Sequence, residues 1–187
     1  MAHRARPLHA AAHPVHATLR TTRAFRCLRA GRVFPAVRRA LAVASYEGFR
    51  IIHFSVQDDH LHLLVEAENR AHLSSGLRGL AIRIARAVNR VLGRKGPVWG
   101  DRYHARALTT PREVRHGLIY VLMNRNKHDP RTTGLDPCSS ARWFEGWRDL
   151  PVSEPEGSPP VVRPRTWLAA VGWRRYGLIG VGERPRS

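Results

Sequence analysis

The chain has only two cysteines in its 187 residues, Cys27 and Cys138, and they stand far apart. That excludes a disulfide framework and a zinc ribbon, and the pair reads as free thiols in a reducing compartment. No apolar run approaches the roughly 20 residues that a membrane span needs, so no membrane association is expected. The start lacks the apolar h-region of a secretory signal. The expected location is the bacterial cytoplasm, in association with the nucleoid. Acid is also scarce. There are 14 Asp and Glu against 32 Lys and Arg, and no acidic residue precedes Glu47. An Arg-rich, acid-poor start can mimic an organelle transit peptide. Here "HPVHATLRTT" (13–22) reads instead as a strand of the folded domain.

What is present is charge of one sign. A formal net charge of +18 points to a large polyanion, and nucleic acid is the commonest one. Composition alone also fits a ribosomal protein or a nonspecific nucleic-acid binder, so it selects a partner class and no chemistry. At 43% apolar residues the chain can bury a core.

Residues 1–12 read as a basic arm, 13–148 as one folded domain, and 149–187 as a Pro-rich linker ("DLPVSEPEGSPPVVRPR") with a short C-terminal segment. That segment, "TWLAAVGWRRYGLIG", is expected to dock back, with Trp167 and Trp173 packing on the domain. A first strand is expected over 14–21. A helix follows through Val37, Leu41 and Ala44, and Gly48 stops it. Phe49 to Gln57 and "HLHLLVEA" form a hairpin across the Asp58–Asp59 turn. Leu73, Leu77, Leu80, Ile84, Val88 and Val91 make one apolar stripe, which predicts a helix over 73–92. A strand is expected over 98–109. The last helix opens on Thr110, Pro111 and Glu113, a T-x-x-E capping box, and should end near His128 before Pro130. This order predicts an α+β fold: a ferredoxin-like β-α-β-β-α-β antiparallel sheet with an added C-terminal helix and a Pro-rich tail. The sheet face away from its helices would be open and could be the working face.

"DDHLHLLVEA" (58–67) carries two histidines two positions apart. In a strand His60, His62, Leu64 and Glu66 share one face, and Leu61, Leu63, Val65 and Ala67 share the other. Two imidazoles side by side form a partial metal site. On the last helix Tyr120 and Asn124 form an i, i+4 pair away from the main apolar stripe. Two imidazoles and a side-chain oxygen suit Mg²⁺ or Mn²⁺, with Glu66 and Asp59 as further oxygen donors. Trp99 reads as a core residue.

These residues carry a resemblance. "HLHLLVEA" resembles the HUH motif, and "YVLMN" resembles the Y-x-x-x-N signature of single-tyrosine HUH transposases, most of all the REP-associated branch. "GPVWGDRYHARALTTPREVRHGLIYVLMNRNKH" and "DPCSSARWFEGW" are similar to the family's stretch from the last strand through the catalytic helix and beyond. The resemblance spans roughly 14–128. It implies that His60, His62 and Asn124 hold one divalent metal. Tyr120 would be the nucleophile that cuts and rejoins single-stranded DNA through a 5′-phosphotyrosine, acting on hairpin or palindromic repeats. Arg125 stands where many relatives have proline. Asn126 is a competing amide, His104 and His116 are further imidazoles, and Tyr103 is a second tyrosine. Candidate DNA contacts are Arg20, Arg23, Arg26, Arg83, Arg86, Arg90, Arg94, Arg102, Arg106 and Lys127. Two other functions fit the same residues: a DNA- or RNA-binding protein of this fold with little or no chemistry, and a metal hydrolase using bound water. The sequence leaves open whether the protein is a monomer or a homodimer.

Overall fold

The computed structural model describes residues 9–125, 134–150 and 157–184. Its elements run β1 (Val15–Arg20), α1 (Phe34–Ala42), β2 (Phe49–Val56), β3 (His60–Ala67), α2 (Arg70–Leu92), β4 (His104–Ala107) and α3 (Pro111–Leu122). A single turn at Ala141–Trp143, a short α4 (Trp167–Ala170) and a tight turn at Gly172–Tyr176 follow. The strands form one antiparallel sheet in the order β2-β3-β1-β4. This is the expected α+β, ferredoxin-like arrangement.

One face of the sheet is conventional. Val15, Ala17 and Leu19 from β1 and Leu61, Leu63 and Val65 from β3 alternate inward. They meet Val37 and Leu41 of α1 and the α2 stripe of Leu77, Leu80, Ile84 and Val88. Full burial of each such aliphatic side chain stabilises the fold by about 1.5–3 kcal/mol. β2 reaches the same face by a less regular route. Its register slips between Ile51 and His53, so Ile52 is an extra residue in a bulge. Phe49 and Ile51 before the bulge, and Phe54 and Val56 after it, therefore all point into one core.

Helix ends follow local chemistry. Asn69 accepts a hydrogen bond from His72 N–H at 2.9 Å, so α2 starts three residues before its first stripe leucine. Gly93 ends it in the left-handed region at φ 61°. Thr110 caps α3 by accepting from Glu113 N–H at 3.2 Å. The Glu113 carboxylate reaches one residue further back than in a capping box, to the N–H and hydroxyl of Thr109.

Three expectations need correction. First, the strand expected over 98–109 is shorter. Trp99 bridges Thr21, but the chain then turns away and pairs with β1 only over His104–Ala107. The indole of Trp99 donates to Ala81 O at 2.8 Å and packs against the helix-side core. Second, α3 is not continuous to His128. It stops at Leu122 with Met123 as its C-cap, and Asn124 and Arg125 resume a helical path. Residues 126–128 lie outside the described residues.

Third, the other face of the sheet is not open. A second core of Ile52, Leu64, Leu108, Val114, Leu118, Leu122, Phe144, Trp147, Leu168 and Trp173 covers much of it. α3 supplies part of this cover and the C-terminal segment the rest. Val162 N–H donates to Ile51 O at 3.0 Å. The buried Glu66 carboxylate accepts from Arg165 N–H, Thr166 N–H and the Thr166 hydroxyl at 2.9–3.1 Å. A buried carboxylate is tolerated because these donors replace its water. The short α4 thus starts on a strand residue of the domain. Trp173 is buried in the second core, whereas Trp167 is 51% exposed. Among the described residues no helix is long and apolar enough to cross a membrane, and Cys27 and Cys138 are both free thiols.

Candidate active site

The polar end of the second face holds the site. Along β3 this face reads His60, His62, Leu64 and Glu66, and each meets a different environment. His60 and His62 have ring centroids 4.6 Å apart, with their planes nearly perpendicular at 82°. Antiparallel register sets Arg20 opposite His60, Thr18 opposite His62 and His16 opposite Leu64. β1 therefore adds a polar row beside the imidazoles. Thr18 Oγ1 lies 3.1 Å and His16 Nε2 3.3 Å from His62 Nδ1. Asp59, in the hairpin turn, lies 2.6 Å from His60 Nδ1. The ionised carboxylate can only accept, so Nδ1 carries a proton, and the tautomer this selects in a neutral imidazole has its lone pair on Nε2. This hydrogen bond also holds the Asp59 carboxyl below its ordinary range.

α3 lays Tyr120 across this row. Its ring centroid is 4.9 Å from His62 and 5.3 Å from His16, both edge-on. The packing that sets this height is close. A Cβ on Gly117, one turn before Tyr120, would come within 2.7 Å of Leu108 Cδ1. Tyr120 is half-buried and Asn124 is fully buried. The pair expected away from the apolar stripe is thus a tyrosine at the edge of the core and an amide inside it. Among the described residues neither Oδ1 nor Nδ2 of Asn124 has a hydrogen-bond partner. Burial holds the neighbouring His16 imidazole neutral, its pKa lowered to about 4, with Arg106 adding to the effect.

The other candidates divide by position. Arg20 lies in register with His60 and Arg106 with His16, on the site's side of the sheet. Arg106 is exposed and pairs with Glu113 at 2.6 Å. Arg23 and Arg102 are exposed on loops. Arg26 approaches Asp59 at 3.6 Å, and the Arg94 guanidinium sits over the Phe25 ring. Arg83, Arg86 and Arg90 are exposed on α2, in the helix layer behind the sheet, away from Tyr120. Lys127 and Asn126 lie outside the described residues. Glu66 shares the histidine face but its oxygens are committed to Arg165 and Thr166. Tyr103 packs against the helix-side core, opposite the imidazole face. His104 is exposed on β4 and His116 is exposed on α3.

His16 and Thr18 were missed at the level of sequence. Their signal was the alternation in "VHATLR", where Val15, Ala17 and Leu19 are apolar and His16, Thr18 and Arg20 are not. Among the described residues no cluster of three His, Cys, Asp or Glu side chains could hold a metal.

The family described as "Transposase IS200 like" matches residues 14–115, more than half of the chain. The match includes His60 and His62 and stops short of Tyr120. Among solved structures, one of a REP-associated tyrosine transposase bound to a REP hairpin is similar. It has 20% sequence identity and a TM-score of 0.55, over 69% of this chain and 75% of that one. A candidate transposase from Deinococcus radiodurans shares 16% identity over 58% of this chain and 85% of that chain, with a TM-score of 0.44. A search of curated proteins found no match. The likeness extends to the overall fold, an α+β fold shared with a tyrosine transposase. The chain belongs to the IS200-like transposase family, and its role is that of a DNA-cleaving transposase.

Proposed function

We propose that this transposase cuts and rejoins single-stranded DNA through Tyr120, assisted by a divalent Mg²⁺ or Mn²⁺ held by His60, His62 and Asn124. The observation that carries the reading is the convergence of a half-buried phenol on the paired imidazoles, 4.9 Å from the His62 ring. The donor set fits an ion. Asp59 fixes the His60 tautomer that leaves Nε2 able to ligate, the carboxylate–histidine arrangement common behind metal sites. The Asn124 amide oxygen is buried without a partner among the described residues, which costs about 1–3 kcal/mol unless something compensates it. The chemistry an ion supplies when bound is neutralisation of charge building on the non-bridging phosphate oxygens.

The residues do the rest. Tyr120 Oη attacks the phosphorus, the bond to the 3′-oxygen breaks, and the phenolic proton is balanced by the 3′-hydroxyl that leaves. The product is a 5′-phosphotyrosine. A 3′-hydroxyl can reverse the step, so strands are exchanged without an external energy source. Arg20 and Arg106, with Arg23 and Arg102 nearby in sequence and Lys127 beyond α3, would engage the phosphate backbone. The substrate is single-stranded DNA carrying a hairpin or palindromic repeat. Support comes from the net +18 charge and from the similar structure, which holds a REP hairpin. The setting is the cytoplasm. The catalytic unit is 13–148, with 1–12 as a basic arm, and within 149–187 the described segment 157–184 packs on that unit and completes its second core.

The test is a covalent protein–DNA adduct on denaturing gels, using hairpin-bearing single strands and Mn²⁺. Tyr120→Phe is expected to abolish the adduct, and His60→Ala to abolish it together with Mn²⁺ binding measured by titration. An adduct that persists in Tyr120→Phe overturns the nucleophile. DNA binding with no adduct under any metal favours a binding protein without chemistry.

A further inference from the structure

A cleft of ≈ 710 Å³ opens beside Tyr120, between β4, the first turns of α3 and the segment after α4. His16 and Tyr120 line it together with Arg106, Arg112, Tyr176 and Arg184. Its charge is not balanced. Glu113 answers Arg106 at 2.6 Å, and Glu183 answers Arg115 at 2.8 Å. Among the described residues Arg112 and Arg184 have no carboxylate partner. Two unmatched guanidinium groups facing one cleft suit a phosphodiester backbone.

The cleft also carries an aromatic platform. Tyr176 is 53% exposed, and the Arg112 guanidinium lies 5.8 Å from its ring centroid. The wall that presents Tyr176 is fixed. Arg115 donates to both oxygens of Glu183 and to the carbonyls of Gly177 and Leu178 at 2.8–3.1 Å, while Trp173 is buried behind it. An exposed ring beside unpaired cations matches unpaired bases, whose π-faces are accessible. Bases within a duplex keep those faces stacked on one another.

We propose that this cleft seats the single-stranded nucleotides next to the phosphate that Tyr120 attacks. Arg112 and Arg184 hold backbone phosphates and Tyr176 stacks on a base. Tyr176 and Arg184 lie beyond the residues the family match covers, so the C-terminal segment contributes a strand-binding wall. The inference rests on the reading of Tyr120 as nucleophile for its location, but not for its test.

The test is fluorescence anisotropy on the full chain without divalent metal. The probes are a labelled DNA hairpin with a single-stranded flank and the same hairpin blunt-ended. The flank is expected to tighten binding. The Arg112→Gln, Arg184→Gln double variant should weaken the flanked probe about tenfold and lower the slope of log Kd against log salt by about 1.4. Tyr176→Ala should weaken it about tenfold, and Tyr176→Phe should bind as the parent does. None of these variants should change the affinity for the blunt hairpin. Cleft variants that bind the flanked probe normally, or that lose both probes equally, overturn the inference. If Tyr120→Phe still forms the adduct while the cleft variants lose the flank, the nucleophile falls and the cleft stands. If only Tyr120→Phe loses the adduct while the cleft variants bind normally, the cleft alone falls.

Discussion

The two faces of the sheet are built from the same strands and are both buried, yet they hold different kinds of interior. On the α1–α2 side β1 and β3 contribute Val15, Ala17, Leu19, Leu61, Leu63 and Val65, and apolar area alone holds the layers together. On the α3 side the same strands offer His16, Thr18, His60, His62 and Glu66, with Leu64 as the aliphatic exception. Most of these polar groups have a named partner: Thr18 and His16 lie 3.1 and 3.3 Å from His62 Nδ1, His60 meets Asp59 at 2.6 Å, and Glu66 holds the start of α4. The contrast teaches that burial was assigned to one face by chemistry-neutral packing and to the other by a set of specific partners. Asn124 is buried on this side with neither amide atom hydrogen-bonded among the described residues.

Four substitutions sharpen this contrast. The largest loss of stability is expected on the first face, where Leu63→Ala should cost about 3 kcal/mol in urea unfolding. The Mn²⁺-dependent adduct should survive in whatever fraction stays folded. Glu66→Ala removes the buried charged acceptor of the Arg165 and Thr166 donors and should cost about 2 kcal/mol. Limited proteolysis should then cut near 157–166 well before the sheet, and cutting as slow as in the parent would contradict the anchoring role. Asn124→Leu should change sign: a gain of about 1 kcal/mol in stability together with loss of the adduct. A stability loss there would mean the amide is satisfied in the folded chain.

The smallest effect at neutral pH belongs to His53, which is buried against the edge of Phe144. Burial lowers its pKa to about 3, so it stays neutral in the fold. An unfolded chain takes up that proton near pH 6.5. Between about pH 6.5 and 3 the unfolded state therefore binds more protons, and stability falls as pH falls through that window. His53→Gln should flatten the decline of melting temperature in that range and leave it nearly unchanged at pH 7.5. His16, also held neutral with a pKa of about 4, should leave a residual slope.

Much of this was legible in the chain itself. The apolar period of two in "VHATLR" and "HLHLLVEA", and the stripe from Leu73 to Val88, are consequences of one-sided burial. They identified the strands, the long helix and their order. Thr110, Pro111 and the two-histidine motif are local chemistry and needed no fold to be seen. The bulge at Ile52 was not legible, because "FRIIHFSV" reads as an unbroken strand until a partner imposes a register. The role of Glu66 was not legible either. Its partners lie about a hundred residues away, at Arg165 and Thr166, and no local pattern announces them.

Local periodicity and capping therefore determined which segments become strands and helices, and which residue types could do chemistry, since those preferences act within a few bonds. Only tertiary structure decided that β1 would lend His16 and Thr18 to the imidazole row. It also decided that the last segment would return to cover the second face, and that Asn124 would be enclosed while Tyr120 stayed within reach of solvent. These depend on register and on contacts between residues remote in the chain, whose free energy exists only once both sides have been brought together.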